Sequence, residues 1–481
     1  MNNSGTLALK QEVLTLLVEA FFSDNFEESV RLIPYKMRPK GSDVPFRCCV
    51  YKERAIIKDR IIAALGFPIE EDDEETLLST YAKKSLIREE YNNQVLTVIE
   101  AACKGCVPNR MYVTNICQGC VERSCQNVCK FGAVEIVNGK AQIDSSKCKN
   151  CKMCMNACPY NAIVKIAVPC EDACPVGAIE KDDNGFAKID HEKCISCGKC
   201  VSRCPFAAIN EKSQLIDILK NLKAGNEIIA LIAPSVVGQF KGNIYQLKTA
   251  MLKAGFTDVY EVAQGADITT KNEAKEFKER MSDNETFMTT SCCAGYNELR
   301  KIHLSEINKY ASNTKTPMYY IAQKVRNVHP DSKIVFISPC VAKRREVIEN
   351  SDTDYILNYT ELKALFDGKK IRVEDCEETA FDKESSKQGR NYGVTGGVAE
   401  AVIKALDSSV KVKPCIISCI NKDTIKQLQK FAKDGYCSDG NLVEVMCCEG
   451  GCIGGNATIE PPKNVKKSLQ SLLDNSKDIK N

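Results

Sequence analysis

Three stretches in the first hundred residues alternate apolar and polar positions with the period of a helix. They run from Leu7 to Phe22, from Arg54 to Leu65 and from Thr76 to Ala102. Pro68 and the acidic run at 70–75 separate the second stretch from the third. The pattern predicts a small helical module over residues 1–100.

Later apolar segments are shorter and predict strands. Ala141–Ile143 and Ala187–Ile189 each lie between turn residues, which is typical of small hairpins. Ile228–Ile232 is uninterruptedly apolar and ends before Pro234, so it predicts a buried strand. We expect an α+β multidomain chain with further divisions at 101–210, 211–463 and a lysine-rich closing segment at 464–481, either a helix or a frayed end.

Composition narrows the class of protein. The chain has 481 residues and a formal net charge of +3, which gives no case for a nucleic-acid partner. No export signal or membrane-spanning apolar stretch is evident, yet there are 28 cysteines. Only three histidines occur, none in a paired metal-binding spacing. This usage predicts a cytoplasmic protein whose thiolates bind metal rather than form disulfides.

Two segments share a cysteine spacing typical of bacterial ferredoxins. Each has three cysteines separated by two residues, then a fourth that precedes proline: Cys148, Cys151, Cys154 and Cys158, and again Cys194, Cys197, Cys200 and Cys204. In two-cluster ferredoxins three close thiolates bind one [4Fe–4S] cluster and the fourth binds the other. This crossing rule assigns all sixteen cysteines between 103 and 204.

The rule predicts four sets of ligands and hence four clusters. They are Cys117, Cys120, Cys125 and Cys158; Cys129, Cys148, Cys151 and Cys154; Cys103, Cys106, Cys170 and Cys204; and Cys174, Cys194, Cys197 and Cys200. The third set requires that one ferredoxin unit is inserted within the other. Such a region, at 101–210, would transfer electrons. The alternatives are a structural zinc at Cys103 and Cys106 and clusters that only hold the fold together.

Three further cysteine motifs lie downstream. They are residues 289–295, with the pair Cys292 and Cys293; residues 338–346, with Cys340; and residues 444–455, with Cys448 and Cys452. Four glycines in the last motif predict backbone that can closely approach a bulky, inorganic group. In this order the motifs resemble the signatures of the [FeFe]-hydrogenase catalytic domain, from about residue 228 to residue 455.

The resemblance implies an H-cluster, in which a [4Fe–4S] cubane is bridged to a two-iron centre carrying CO, cyanide and a dithiolate. It implies Cys452 as the bridging thiolate, with Cys293, Cys340 and Cys448 as the other ligands. Four thiolates are what such a cubane requires. The alternative is that these cysteines are small buried core residues.

The resemblance also implies which residues surround the two-iron centre. Ala233, Pro234 and Ser235 would lie against one cyanide, with the Ser235 hydroxyl as a donor. Lys343 would donate to a cyanide and Glu346 would orient that lysine; otherwise the two form a plain i, i+3 ion pair. Met318 and Met446 would occupy further positions of the pocket.

A proton path is the third implication. By motif position it would run through Arg280, Glu276, Ser312 and Glu273 to Cys292, a thiol that can pass a proton without binding metal. Glu273, Glu276 and Arg280 recur at i, i+3 and i+7 of a predicted helix. On an ordinary surface helix the same spacing would give solvated salt bridges.

Several positions depart from the common pattern of the family. They are Ala294, Met318, Ser338, Cys447 and Glu449. The predicted ligands are unaffected, but their surroundings differ, so we expect an altered redox potential or catalytic bias.

The resemblance implies a ferredoxin hydrogenase that reversibly reduces protons to H2. Its partners would be ferredoxin or a similar small electron carrier, and the maturation proteins that build the two-iron unit. Two other classes remain: a hydrogen sensor with slow turnover, and an iron–sulfur carrier or assembly protein without the two-iron site. Retention of Cys292, Cys452 and the acidic residues of the path disfavours the carrier or assembly protein, and no signalling domain that would favour a sensor is visible.

Overall fold

The computed structural model describes residues 5–41, 47–89, 91, 94–103, 106, 110–349 and 352–479. Helices and short antiparallel strands make up the first half of the chain, and parallel strands with helices make up the second half. Within the described ranges no helix combines the length and the apolar character needed to cross a membrane. The predicted α+β class is confirmed.

The amino-terminal part contains α1 (Gly5–Phe21), α2 (Phe26–Met37), α3 (Val50–Ala64) and α4 (Leu78–Ile87), with a 3₁₀ turn at Ile69–Glu71. The predictions for α1 and α3 are confirmed closely. The predicted helix from Thr76 to Ala102 is wrong, because the chain leaves α4 and forms strand β1 (Leu96–Val98) and helix α5 (Glu100–Cys103). Strand β1 is fully buried and pairs with Ile209–Glu211, a distant partner that local periodicity does not reveal.

The cysteine-dense region continues as β2 (Arg110–Val113), α6 (Ser124–Asn127), β3 (Val134–Val137), β4 (Lys140–Ile143), α7 (Met153–Ala157), β5 (Ile163–Ile166), α8 (Pro169–Ala173), β6 (Ile179–Lys181), β7 (Ala187–Ile189), α9 (Lys199–Arg203) and β8 (Ile209–Glu211). The predicted hairpins are confirmed as β3–β4 and β6–β7. Strand β2 pairs with β5, and β1 pairs with β8, both antiparallel. One unit therefore lies inside the other along the chain, as predicted.

The remaining elements are α10 (Leu215–Ala224), β9 (Ile228–Ile232), α11 (Ile244–Ala254), β10 (Asp258–Glu261), α12 (Ala263–Ser282), β11 (Met288–Thr289), α13 (Ala294–Ile302), α14 (Pro317–Val328), β12 (Lys333–Ile337), α15 (Ala342–Glu349), β13 (Tyr355–Leu357), α16 (Tyr359–Gly368), α17 (Lys387–Asn391), α18 (Gly397–Ala405), β14 (Pro414–Ser418), α19 (Lys422–Asp434), β15 (Leu442–Met446) and α20 (Pro462–Asp474). Short 3₁₀ turns lie at 234–236, 305–310, 373–375 and 452–454. The strands form two parallel sheets, in the orders β10–β9–β12–β13 and β11–β15–β14. The predicted strand β9 is confirmed, and all its residues are buried.

Buried charges join the three parts of the chain. Glu211, at the end of β8, accepts from Lys10 of α1 at 3.1 Å and from Arg344 of α15 at 3.0 Å. Arg344 also donates to Glu361 of α16 at 2.7 Å. Burial raises the pKa of Glu211, but Lys10 and Arg344 outweigh burial and lower that pKa to about 2. The ionised carboxylate fixes both amino-terminal regions on the two-sheet part of the molecule.

One apolar core includes side chains of α1–α4 together with side chains of α10, α11 and α16. The helical module therefore packs on the two-sheet part through apolar contacts as well as through Glu211. A division of the chain at residue 100 stays a prediction.

Candidate metal centre and proton path

The cysteine motifs of the two-sheet part follow the carboxyl ends of parallel strands. Residues 290–293 follow β11, residues 338–340 follow β12, and residues 447–452 follow β15. Residues 233–235 follow β9 in the same way. Loops at this edge of parallel sheets are the usual place for a ligand, since they meet on one side. The topology gathers segments that are far apart in sequence.

Four thiols from these loops lie together. Cys340 interacts electrostatically with Cys448, Cys293 and Cys452, and Cys452 interacts with Cys293 and Cys448. Among the described residues no three His, Cys, Asp or Glu side chains converge as the ligands of a single metal ion do. A cubane, by contrast, separates its thiolates by the width of the cluster. Four soft sulfur donors, with the Lys343 cation near Cys452, fit an anionic iron–sulfur group.

The segment predicted to face the two-iron centre is buried beside these thiols. Pro234 begins a 3₁₀ turn, and the Ser235 hydroxyl shares a 2.7 Å hydrogen bond with the Tyr359 hydroxyl. Tyr359 interacts electrostatically with Cys452 and Cys340. Two hydroxyl groups are therefore held next to the predicted ligands.

Lys343 and Glu346 form the predicted pair on one face of α15. Lys343 Nζ donates to Glu346 Oε2 at 2.6 Å, and Thr316 Oγ1 donates to Glu346 Oε1. Both carboxylate oxygens are occupied, so the lysine is held in one position. Met318, two residues after Thr316, is buried in the apolar cluster that contains Ala233.

Two glycines of the last cysteine motif lie tightly against the chain's own atoms. A Cβ at Gly451 would lie 2.6 Å from the Gly393 carbonyl oxygen, and one at Gly455 would lie 2.9 Å from Pro339 Cβ. At these two positions the chain's own atoms, rather than an inorganic group, exclude a side chain. Gly451 also has a φ of +89°, a conformation that favours glycine. The glycines pack the motif against its neighbouring loops.

The outer half of the predicted proton path is a connected hydrogen-bond network. Arg280 donates to Glu276 Oε1 from Nε and Nη2, at 3.0 and 2.8 Å, and Ser312 Oγ donates to Glu276 Oε2 at 2.7 Å. Burial raises the pKa of Glu276, but hydrogen bonds from Ser312, the Asn313 backbone and Arg280 outweigh burial and lower it. Glu276 therefore stays ionised near the surface.

Ser291 and Thr314 lie between Glu276 and Glu273, the two carboxyl groups of the predicted path. The predicted contact of Ser312 with Glu273 is absent from the described hydrogen bonds, because the Ser312 hydroxyl is directed at Glu276. Instead, Thr314 Oγ1 donates to Glu276 Oε2 at 3.2 Å, and the Thr314 carbonyl accepts from Ser291 Oγ at 2.5 Å. The Ser291 N–H then donates to Glu273 Oε1 at 3.1 Å. Ser291 and Thr314 therefore hold the two carboxyl groups in position; because a peptide carbonyl and a peptide N–H do not relay protons, the proton step from Glu276 to Glu273 stays a prediction.

Glu273 and Cys292 form the inner end of the path, and both are buried. Burial raises the pKa of Glu273 to about 7. Burial, followed by the nearby Glu273 carboxyl, raises the pKa of Cys292 well above the usual range of a thiol. A protonated thiol beside a carboxyl that titrates near neutral pH can relay protons. Met446 and Tyr392 pack in the same apolar cluster as Cys292.

Glu444 is a second buried carboxylate near Cys292, and its role is structural. Its Oε1 accepts from the Gly396 N–H at 2.7 Å, and its Oε2 accepts from the Ala399 N–H at 2.9 Å. These N–H groups open α18, where a negative charge is stabilised by the helix dipole. Both oxygens of Glu444 are thus occupied, unlike those of Glu273.

The cysteines between 103 and 204 lie in the four predicted sets. Electrostatic contacts join Cys125 to Cys117, Cys120 and Cys158; Cys154 to Cys129, Cys148 and Cys151; Cys170 to Cys103 and Cys204, with Cys106 also beside those two; and Cys200 to Cys174, Cys194 and Cys197, with Cys170 of the third set also nearby. Cys103 and Cys106 are thus accompanied by two further thiols. That each set binds a cluster stays a prediction.

Sequence reasoning missed Tyr359, Thr314 and Ser291. Tyr359 and Thr314 belong to no cysteine motif and reach the site only through folding. Ser291 precedes the cysteine pair, so its position in the motif was a signal that could have been used.

Comparison with known proteins follows the same division of the chain. Residues 226–456 match the family described as iron only hydrogenase large subunit, C-terminal domain. Residues 141–164 match a 4Fe-4S binding domain, and residues 164–215 match an LdpA Fe-S cluster-binding domain.

Individual relatives are distant. Iron hydrogenase 1 of Clostridium pasteurianum is 28% identical over 319 residues, 54% of this chain and 55% of that protein. The periplasmic [Fe] hydrogenase large subunit of Nitratidesulfovibrio vulgaris is also 28% identical, over 66% of this chain and 86% of its own. A probable cytosolic Fe-S cluster assembly factor of Drosophila persimilis is 26% identical, over 41% of this chain and 53% of that protein.

A solved [FeFe]-hydrogenase from Chlamydomonas reinhardtii superposes with a TM-score of 0.44 at 18% identity, over 54% of this chain and 88% of that one. The chain matches just over half the length of the Clostridium pasteurianum protein, Iron hydrogenase 1. The family match lies in the two-sheet part, and the domain matches cover residues 141–215, the second part of the cysteine-dense region. Residues 226–456 are therefore similar to the carboxyl-terminal domain of iron-only hydrogenases, and residues 141–215 are similar to iron–sulfur cluster-binding domains.

Proposed function

We propose that this chain catalyses the reversible reduction of protons to H2, with electrons from reduced ferredoxin or a similar small carrier. The proposal rests on two features that lie close together. Four thiols are grouped, and beside them a buried Glu273–Cys292 pair forms the inner end of the predicted proton path. An electron carrier or an assembly protein requires the thiols but has no use for the path.

The proposed ligands of the H-cluster are Cys293, Cys340, Cys448 and Cys452. When bound, this group supplies the metal at which protons and electrons combine. Lys343, held by Glu346, places a fixed positive charge and a donor beside it. The proposal requires maturation proteins that build the two-iron unit. We also propose a cytoplasmic location, because the 28 cysteines of the chain stay available as thiolate ligands in a reducing compartment.

Protons would reach the site through the chain's own side chains. Arg280 keeps Glu276 ionised near the surface, so Glu276 would hold a proton from solvent only transiently and release it readily. Ser291 holds one oxygen of Glu273, and the other oxygen has no partner in the described part of the chain. Cys292 would be the last proton donor. After the thiol gives up its proton, Glu273 would reprotonate it.

Electrons would enter through the unit formed by residues 110–166. This unit has eight Lys or Arg against three Asp or Glu, although the whole chain has a net charge of only +3. Cys151, Lys149 and Lys152 are exposed, as are the apolar side chains of Val121 and Phe131. A basic surface with exposed apolar groups around a cluster ligand suits an acidic electron carrier.

The deciding experiment uses the full chain, matured and purified without oxygen. We expect infrared bands of CO and cyanide, and H2 evolution with reduced ferredoxin. A protein that contains cubanes, shows none of these bands and evolves no H2 with reduced methyl viologen would be an electron carrier or an assembly protein instead. The bands with only slow turnover would instead identify a hydrogen sensor.

A further inference from the structure

Cys447 lies between cysteines that belong to two different predicted clusters. Its thiol lies beside Cys197 of the cysteine-dense region and beside Cys448 of the last cysteine motif, and it interacts electrostatically with both. Its backbone N–H donates to Cys293 Sγ at 3.4 Å. Only 4% of Cys447 is exposed. A residue that is itself outside every ligand set thus contacts sulfur atoms of two sets.

Asn456 forms a second link between the same two regions. Its Nδ2 donates to the Cys197 carbonyl oxygen at 2.7 Å and lies 3.9 Å from Cys448 Sγ. Its Oδ1 accepts from Ser202 Oγ at 2.7 Å, which fixes the orientation of the amide. The two linked cysteines are the ones that Cys447 contacts, so their separation is set by two side chains.

A positive charge stands beside the link. Lys199 Nζ lies 3.4 Å from Cys419 Sγ and donates to the Ile420 carbonyl oxygen. It interacts electrostatically with Cys447 and Cys197. The charge favours extra negative charge on either cluster and is anchored to the backbone.

Two glycines permit the close approach. A Cβ at Gly198, where φ is +76°, would lie 2.4 Å from Val341 Cγ2. A Cβ at Gly295 would lie 3.0 Å from Cys447 Sγ. Gly198 directly follows Cys197, and Val341 directly follows Cys340. Backbone packing therefore brings a loop of one predicted cluster onto a loop of the other.

We infer that Cys447 is a positioning residue that couples the cluster of Cys174, Cys194, Cys197 and Cys200 to the catalytic cubane. This inference rests on the cluster assignments of the proposed function. A thiol has one proton to donate, so it can hydrogen-bond the sulfur of one cluster or of the other. A hydrogen bond to a ligand sulfur stabilises the reduced, more negative cluster and raises its potential. One electron passes from the first cluster to the second, and Cys447 is neither oxidised nor deprotonated.

The test measures reduction potentials rather than gas. Full-length protein is loaded with cubanes but not with the two-iron unit, and both clusters are titrated by electron paramagnetic resonance. In Cys447→Ala we expect the reduced-to-oxidised ratio at a fixed potential to fall about tenfold for the cluster that accepts the thiol's hydrogen bond, a shift of about 59 mV to lower potential, and to fall less for the other cluster. Cys447→Ser, which keeps a donor, should recover part of the shift. Cys437→Ala is the control, because that buried thiol lies in the same apolar cluster as Cys447.

Potentials in Cys447→Ala that equal those of Cys437→Ala would overturn the inference. If the alanine variant does not retain iron, Cys447→Val fills the same space without a donor and is judged by the same criterion. The outcome is independent of catalysis, because the two-iron unit is not loaded. Shifted potentials in a protein that makes no H2 would reject only the proposed function, and unshifted potentials in one that makes H2 would reject only this inference.

Discussion

The Ser291 N–H donates to Glu273 Oε1 at 3.1 Å, while Glu273 Oε2 has no hydrogen-bond partner in the described part of the chain. One oxygen holds the carboxyl in place, and the other can accept or release a proton. Burial brings the pKa of this carboxyl to about 7, whereas Glu276, one turn away, stays ionised. Two carboxyl groups on one helix thus have separate roles, set by their surroundings.

Replacement Glu273→Gln should abolish the relay without changing the shape of the site. The amide still accepts from Ser291 but cannot release a proton, so we expect H2 evolution to fall by about a hundredfold or more. Glu279→Gln, an exposed position on α12, is the matched control. Equal gas evolution rates in the two variants would show that protons reach Cys292 by another route.

The same variant should alter how stability depends on pH. The pKa of Glu273 is raised from an ordinary value near 4.5 to about 7 by burial, so the folded state binds the proton more tightly than the unfolded state. Its contribution to stability is therefore full below about pH 4.5 and is lost as the pH rises through about 7. Relative to Glu273→Gln, the wild type should lose at most about 3 kcal/mol of unfolding free energy across this window. Denaturant titrations of both proteins at pH 5.5 and 8 would check this prediction. A difference in unfolding free energy that is the same at both pH values would contradict it.

Adjacent cysteines should respond differently to substitution. Cys292→Ser should leave the iron content unchanged and lower H2 evolution by about a hundredfold or more, because only the proton donor changes. Cys293→Ser should lose iron, because it removes a thiolate of the proposed cubane. Iron analysis together with gas chromatography would separate the two effects. Loss of iron from Cys292→Ser would show that the ligand assignment is displaced by one residue.

Arg344 should be essential for stability although it is remote from the proposed chemistry. In Arg344→Met the carboxylates of Glu211 and Glu361 remain buried without their shared cation, which should cost about 3–5 kcal/mol. The control Lys363→Met removes a more exposed ion pair on α16 and should change stability by less than about 1 kcal/mol. Anaerobic thermal unfolding would measure both, and equal midpoints would contradict the role of the network.

The basic unit at 110–166 should determine recognition of an acidic carrier. Lys149→Glu combined with Lys152→Glu should raise the KM for reduced ferredoxin about tenfold at low salt. Methyl viologen, which needs no docking surface, should react at the normal rate. A matched double variant, Lys466→Glu with Lys467→Glu on α20, should leave both reactions unchanged. An effect of similar size in the control variant would show that the KM for ferredoxin depends on the net charge of the chain and not on this surface.

The local sequence pattern predicted the elements whose formation depends on neighbouring residues. The helix period of α1, the apolar run of β9 and the turn residues around the β6–β7 hairpin each depend on a few neighbouring residues. Cysteine spacing likewise predicted which thiols meet, including the nesting of one unit within the other. Two or three ligands of each set lie a few residues apart, and the crossing rule of ferredoxins supplies the more distant ones.

Contacts between distant segments were decided only by the tertiary structure. Strand β1 interrupts a predicted helix because its partner lies beyond the whole cysteine-dense region. Tyr359 and Thr314 reach the site from segments without a motif, and Ser291 takes the place predicted for Ser312 beside Glu273. The sequence identified Cys447 only as a departure from the family pattern, whereas the structure shows that it lies beside Cys197. Residue types and spacing therefore determined the chemistry available to this chain, whereas packing between its regions determined which of those groups touch.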